Sequence, residues 1–421
     1  MRTVIMAGGK GTRVASIASD IPKPMIPICG KPILEHQIEC LNKNGLSDII
    51  IIVGHLGQSI KEYFGNGSRF GCKISYYTET EPLGTAGALY KIKELLENRS
   101  EDFILLNGDI IFDIDFKRMI TFHKKHKAWA SLAVHPNNHP YDSVLIECNE
   151  NNQITAWINK EDTARMAGTY YKNLVNAGIH ILSLDLIKNC PQDKDKVDLD
   201  RDILKKMILG GRIFGYITPE YIKDMGTPER FTEVSHAIEK GIVKNKNLAV
   251  KQKCVFLDRD GTINELNDFI LSPEDLILID GAAQAIKTIN SSGYLAIVIT
   301  NQPVIARGDL DFKTLDSIHK KMETELGKLG AFIDDLFFCP HHPEKGFPGE
   351  RPEYKIDCNC RKPKPGMILK AAEKYNIDLK NSYMVGDHVR DTEAGAAAGC
   401  IPFLLKDKTL ADFALEFFPN D

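Results

Sequence analysis

No stretch of this 421-residue sequence stays apolar over the ~18 positions that a membrane-spanning helix needs. The opening, MRTVIMAGGKGTR, breaks into glycine where a secretory signal would continue apolar. Both absences lead to the expectation of a cytoplasmic protein with no membrane partner. Basic charge is not in excess either. The formal net charge is −4, which offers no broad footprint for nucleic acid, although local Lys and Arg still suit a small phosphorylated substrate. Ten cysteines are too few for a disulfide framework. Cys29, Cys40, Cys72, Cys148, Cys190, Cys254 and Cys400 are scattered and are expected as buried free thiols, whereas Cys339, Cys358 and Cys360 cluster. Internal repeats and low-complexity segments are also missing.

What is present reads as two α/β domains. The length exceeds one typical domain, and 43% hydrophobic with 26% charged residues is ordinary for globular chains. Short Val/Ile-rich runs alternate with helix-like stretches, the pattern of a mostly parallel sheet covered by helices. Expected strands are Thr3–Ala7, Ile49–Val53, Phe103–Asn107, Ser131–His135 and Asn176–Leu182. A Lys-rich, weakly patterned stretch (EKGIVKNKNLAVKQK) then precedes CVFLD, where alternation restarts with Tyr294–Thr300, Asp335–Phe338 and Ser382–Val385. The domains are therefore expected at 1–245 and 246–421. Each active site should lie beyond the carboxyl ends of its strands.

Ala7-Gly8-Gly9-Lys10-Gly11-Thr12-Arg13 follows the first strand directly. Its glycines let backbone N–H groups approach a triphosphate, and Arg13 can offset its charge. A plain tight turn is the bland alternative. The spacing fits neither a Walker loop nor the dinucleotide fingerprint. Lys23 stands between Pro22 and Pro24, on backbone expected not to be helical, where it can present one cation to a phosphoryl group. In Leu83-Gly84-Thr85-Ala86-Gly87, small residues leave room for a flat base. Asp109 follows an apolar strand, and Asp224 supplies a second carboxylate far along the chain. Two carboxylates suit Mg²⁺ shared with substrate phosphates.

AGGKGTR, PKPM, LGTAG, NGD, NAG (Asn176–Gly178) and DMGTP resemble, in this order, the motifs of the sugar-1-phosphate nucleotidyltransferase family over about residues 1–235. The resemblance implies Mg²⁺ on Asp109 and Asp224, triphosphate on Gly8, Gly9, Gly11, Thr12 and Arg13, and Lys23 steadying the transferred phosphoryl. It places base and sugar at Gly84, Thr85, Asn176 and Gly178, with Lys160 on the sugar phosphate. Asn159 stands before Lys160 where relatives commonly carry an acidic residue. A sugar-1-phosphate oxygen would attack the α-phosphorus of a nucleoside triphosphate and release pyrophosphate, a reaction that needs positioning and charge neutralisation. LGTAG is similar to guanylyltransferases for mannose- and heptose-1-phosphate, which implies GTP.

In the second half, Asp258-Arg259-Asp260-Gly261-Thr262 puts two aspartates at a strand end, without the further acidic residues of a calcium loop. With Thr300, Lys362 and Gly386-Asp387 following in order, the sequence resembles the haloacid dehalogenase-type phosphatases. That implies Asp258 as nucleophile and Asp260 as acid and base. Thr300, Asn301 and Lys362 would hold phosphoryl oxygens, and Mg²⁺ would sit on Asp258, Asp260 and Asp387. Cys339-Pro340-His341 and Cys358-Asn359-Cys360 offer three thiolates and one imidazole, a closed donor set for structural zinc, with His342 as competitor for His341. Unrelated loop cysteines are the alternative.

DRDGTIN, TNQPVIARG, CPHHPE, CNCRKPKPGM and VGDHVRD resemble the heptose bisphosphate phosphatases, and the histidinol phosphate phosphatases share the zinc clip. Pro303, Val304 and His388 replace residues common in that group and are expected on the substrate rim, while Arg361 is expected to grip an outer phosphate. Together the resemblances imply two Rossmann-like domains, a nucleotidyltransferase fold and a haloacid dehalogenase-like fold with a zinc-binding loop. The phosphatase would remove the 7-phosphate of D-glycero-D-manno-heptose 1,7-bisphosphate, and the transferase would join the product to GTP, giving GDP-heptose. A nucleotidyltransferase for mannose-1-phosphate or another hexose-1-phosphate, fused to a histidinol-phosphate-type phosphatase, is the alternative. The sequence leaves a homo-oligomer open.

Overall fold

Runs of Ile, Val and Leu bounded by turn residues form the strands, and both faces of the central ones are covered. The computed structural model describes residues 1–9, 21–54, 56–97, 101–159, 162, 170–189, 196–266 and 268–419. Contacts divide the chain into two compact units. Met1–His135, Ile146–Trp157 and Asn176–Asn247 form the first, and Pro136–Leu145, Ile158–Val175 and Leu248–Asp421 the second.

In the first unit, strands Asp48–Val53 and Asp102–Asn107 run parallel to Arg2–Ala7 on either side, with Thr3 opposite Ile49 and Ile104. Ile49 through Val53 are buried without exception, as a strand under helices on both faces requires. The expectation of a mostly parallel sheet needs one correction here. Val175–Ser183 pairs antiparallel with Asp102–Asn107, so this sheet, nine-stranded among the described residues, is mixed. A separate two-stranded ribbon pairs Ile110–Asp113 with Tyr221–Asp224.

The Lys-rich stretch is ordered rather than a loose linker. Helix Pro228–Glu239 stops at Lys240, Gly241 adopts φ +73°, and a short helix Ile242–Asn245 follows. Val243 packs with Ile26, Ile28, Ile111 and Val234, and that apolar anchoring is why the segment is fixed despite its charge. The thiols also need sorting. Cys40, Cys254 and Cys400 are buried, but Cys29 is exposed. With Gly30 it forms the positive-φ tip of the hairpin between Pro27–Ile28 and Lys31–Pro32, which points to solvent. Cys190 lies outside the described residues.

The second unit holds a five-stranded, wholly parallel sheet in the order Asp335–Cys339, Leu295–Asn301, Cys254–Leu257, Tyr383–Gly386, Ile401–Leu404. Helix Phe312–Lys328 carries Glu323 and Thr324. To them are tied the residues of this unit that come from earlier in the chain: Tyr171 N donates to Thr324 Oγ1 at 2.9 Å and Asn173 N to Glu323 Oε2 at 2.7 Å. Among the described residues, no helix is long and apolar enough to cross a membrane.

Candidate active sites

In the first unit, Arg2–Ala7 runs into Gly8 and Gly9, and Asp102–Asn107 runs into Gly108 and Asp109 at the same sheet edge. Asp224 pairs with Ile110 in the ribbon, and Met225 N donates to Asp109 O at 2.9 Å. Strand register thus brings two sequence-distant aspartates onto neighbouring positions. Each carboxylate already has a cation. Lys23 Nζ lies 2.6 Å from Asp109 Oδ2, and Arg230 pairs with Asp224 Oδ2. Arg230 was not expected there from the sequence. Lys23 itself begins a 3₁₀ turn, Lys23–Met25, so the expectation of non-helical backbone fails at this residue. Pro24 is tolerated because the first turn of a helix does not use its missing N–H.

Gly84 has φ +76°, and a Cβ there would meet Val197 O at 2.5 Å. Ala86 N and Gly87 N both donate to Val197 O, and Val197 N donates to Leu83 O. These amides are therefore taken by the protein, and Thr85 sits in the first turn of helix Gly84–Lys91. Glu79 is a residue the sequence reading missed. Its Oε1 accepts from Leu83 N at 3.2 Å, while Oε2 fills the space that a Cβ on Gly8 would need. Burial pushes this carboxyl up. Asn176 is held at both ends of its amide: Nδ2 donates to Asp200 Oδ2 at 2.9 Å and Oδ1 accepts from Gly178 N at 3.2 Å. Gly178, at φ +72°, leaves room for the Asn107 amide, which a Cβ would meet at 2.4 Å. Gly11, Thr12, Arg13 and Lys160 lie outside the described residues.

In the second unit, Asp258, Thr300 and Asp387 stand at the carboxyl ends of three adjacent parallel strands. Ligand oxygens of Asp258, Asp387 and Asp391 lie within 4.8 Å of one another. Lys362 Nζ sits 2.8 Å from Asp258 Oδ1 and 2.7 Å from Asp391 Oδ1. Burial drives the Asp258 carboxyl up, to about 7; Lys362 opposes the shift and Asp391 adds to it. Asp391 caps helix Val389–Ala398 by accepting from His388 N, so its orientation is set by the helix start. The GDxxxD spacing held that information, but the sequence reading gave Asp391 no role. Gly261, at φ +75°, is required where the Asp387 carboxylate presses against the loop.

Asp260 is placed differently from the metal-ligand expectation. Its carboxylate lies outside the three-carboxylate group and is taken by Arg259, Asn264 and Gln302. Burial would raise this carboxyl, but those partners hold it below the ordinary carboxylate range. Thr300 Oγ1 is buried and accepts from Gln302 Nε2 at 2.9 Å. Asn301 clasps the backbone of Lys362, accepting from its N at 3.0 Å and donating to its O at 3.1 Å.

The Cys/His cluster is assembled. Cys339, Cys358 and Cys360 have Sγ separations of 3.5, 3.2 and 3.2 Å, and His341 Nδ1 lies 3.7 and 3.4 Å from the Cys339 and Cys360 sulfurs. These are tetrahedron edges for a thiophilic ion, far longer than a disulfide bond. His342 instead faces Glu344 O. Arg361 Nη1 donates to His341 O at 3.1 Å. On the expected rim, His388 is exposed as a helix cap, but Val304 is 1% exposed and packs into the core. Its position on the short helix Val304–Arg307 turns it inward, so only Pro303 and His388 can face a substrate.

The nucleotidyl transferase family matches residues 2–241 and the haloacid dehalogenase-like hydrolase family residues 211–399. The chain is 34% identical over 237 residues to the mannose-1-phosphate guanylyltransferase catalytic subunit beta of Xenopus tropicalis, covering 55% of this chain and only 62% of that protein. It is 30% identical over 241 residues to the D-glycero-alpha-D-manno-heptose 1-phosphate guanylyltransferase of Aneurinibacillus thermoaerophilus, covering 57% of this chain and 99% of that one. It is 40% identical over 168 residues to the D-glycero-beta-D-manno-heptose-1,7-bisphosphate 7-phosphatase of Bordetella bronchiseptica, covering 39% and 88%. The chain belongs to the nucleotidyl transferase family through its N-terminal part and to the haloacid dehalogenase-like hydrolase family through its C-terminal part.

Proposed function

We propose that the chain carries two consecutive activities: a phosphatase domain, 246–421, that removes the 7-phosphate of a heptose 1,7-bisphosphate, and a transferase domain, 1–245, that joins the heptose 1-phosphate to GTP. The observation that carries the reading is the buried Asp258–Lys362–Asp391 arrangement beside Asp387, in one chain with the Asp109–Asp224 pair. The heptose enzymes named above, each covered over most of its length, support the same sugar for both steps.

In the phosphatase step, Asp258 attacks phosphorus, the phosphorus–oxygen bond to the sugar breaks, and an aspartyl phosphate forms. Lys362 offsets the charge of the phosphoryl oxygens. Asp260, kept ionised by Arg259, takes a proton from the water that then hydrolyses the intermediate. To protonate the leaving oxygen first, it must be loosened from Arg259 as substrate arrives and take up a proton from solvent, and the proton it later takes from water returns to solvent when Arg259 re-engages. Asp258 and Asp387 would hold Mg²⁺, which would supply further neutralisation, and Cys339, His341, Cys358 and Cys360 would hold Zn²⁺, which would fix the loop that leads to Lys362. In the transferase domain, Asp109 and Asp224 would hold Mg²⁺, which would offset triphosphate charge, and Lys23 would steady the transferred phosphoryl group. Glu79 matches the two N–H donors on the Watson–Crick edge of guanine, which favours GTP.

The two heptose relatives are named for opposite anomers, beta for the phosphatase and alpha for the transferase. Consecutive steps in one chain require one anomer. The test is turnover of both anomers of heptose 1,7-bisphosphate with each of the four nucleoside triphosphates, followed by phosphorus NMR. A sugar nucleotide from GTP and one anomer is expected. Release of the anomeric phosphate would defeat the two-step reading.

A further inference from the structure

Within the first unit, Asp200 has acceptor capacity that the described residues do not use. It lies on the helical segment Leu199–Leu204, three residues after Val197, which is clamped to the Gly84–Gly87 segment. Its side chain keeps 39% of its surface accessible. Yet burial, with repulsion from Asp198, pushes its carboxyl up to about 7. The accessible part of this carboxylate can receive a ligand. One oxygen accepts from Asn176 Nδ2. The other faces His180 Nε2 at 3.7 Å, beyond hydrogen-bond reach. His180 is 3% exposed, neither ring nitrogen has a hydrogen-bond partner, and burial lowers it to about 4, so it is neutral and contributes no counter-charge.

We propose that Asp200 reads the sugar of the transferase substrate, accepting hydrogen bonds from its ring hydroxyls beside the locked amide of Asn176. This deepens the transferase reading above and rests on it. An anionic phosphate would be repelled by Asp200, with Asp198 near it and no cation paired to it among the described residues. Neutral hydroxyl donors satisfy it, and a polyol presents several. Antiparallel register sets Asn176, and Asp200 with it, near the Asn107–Asp109 edge, because the Asn107 amide packs on Gly178 two residues after Asn176. Glu79 stands apart, against Gly8 on the nucleotide side.

The experiment is steady-state pyrophosphate release by the full chain with heptose 1-phosphate and its monodeoxy analogues, for wild type and Asp200→Asn. Asp200→Asn should raise the KM for heptose 1-phosphate about 10- to 100-fold, the loss of one or two charge-assisted hydrogen bonds, with the KM for GTP unchanged. One deoxy analogue should be poor for wild type yet no worse than the parent sugar for the variant, a coupling that a merely structural role would not produce. The analogues on wild type alone still test hydroxyl recognition if the variant misfolds. Unchanged kinetics in the variant, uniform tolerance of every deoxy analogue by wild type, or a rise confined to GTP would each overturn the assignment. A wild type that turns over no sugar phosphate would instead remove the transferase reading itself.

Discussion

Lys362 places its Nζ 2.8 Å from Oδ1 of Asp258, and the two side chains are 1% and 6% exposed. The same ammonium is shared with Asp391, so one cation balances two carboxylates in a dry site. Lys362→Met should therefore do more than stop phosphatase turnover. Stranding those carboxylates should cost roughly 3–5 kcal/mol of stability in chelator, with part regained when Mg²⁺ is added. Thermal melts with and without Mg²⁺ check this, and a variant that melts like wild type in chelator would contradict it.

Asp260 owes its ionised state to three neighbours. Removing a donor to the charged form disfavours that form, so Asn264→Ala should raise the Asp260 pKa. The alkaline limb of the phosphatase kcat/KM profile, set by the acid that protonates the leaving oxygen, should move toward higher pH, while nucleotide-sugar formation stays unaltered. Asp260→Asn should lower phosphatase turnover by about 10²–10⁴. An alkaline limb that stays in place in Asn264→Ala would mean another group titrates there.

The strand ends were legible in the sequence because short apolar runs closed by Asp or Gly leave few alternatives. Phe103–Asn107 and Asp109 are examples. The antiparallel return of Val175–Ser183 was not, since buried parallel and antiparallel strands share one composition. Asp391 stands in the motif four residues after Asp387 but carries no role there, because that role depends on a helix start turning it toward Lys362, and Asp200 was missed because its acceptor acquires meaning only beside Asn176 and His180. Val304 shows the opposite failure. A motif position implied exposure, and one turn of helix buried it.

In the transferase, Asp109→Asn and Asp224→Asn should each abolish nucleotide-sugar formation and leave phosphatase activity near normal. Lys23→Met frees Asp109 of its 2.6 Å partner. It should lower kcat while metal binding persists, because its proposed work is on the phosphoryl group. Titration of Mn²⁺ followed by electron paramagnetic resonance separates the two effects.

The Cys/His cluster reaches the phosphatase site along two short routes. Cys360 precedes Lys362 by two residues, and Gln302 N donates to Cys339 O at 2.8 Å. About one zinc per chain is expected, and Cys358→Ser should lose it together with most phosphatase activity. Asn301→Ala, which releases the Lys362 backbone without touching the cluster, should lose activity and keep its zinc. Metal analysis with activity assays distinguishes these outcomes. Protein prepared without chelator that contains no zinc would refute the assignment.

Glu323 in the second unit supplies the last prediction. It is buried, accepts from Asn173 N, and is pushed up to about 7 from an ordinary 4.5, chiefly by burial; Lys172 pulls against this, while Asp335 and Asp316 add to it. The folded pKa lies above the unfolded one, so its contribution to stability is complete below about 4.5, shrinks as pH rises and is lost above about 7. At ~1.4 kcal/mol per pH unit, the change across that window is on the order of 3 kcal/mol. Glu323→Gln keeps an acceptor for Asn173 but cannot ionise. Its second unit should therefore be nearly as stable at pH 8 as at pH 5, where wild type weakens. The measurement is the urea midpoint at both pH values for the transition that Mg²⁺ and phosphate shift, since ligand linkage marks the phosphatase unit. Equal pH dependence in variant and wild type would show that Glu323 titrates normally and that burial does not govern it.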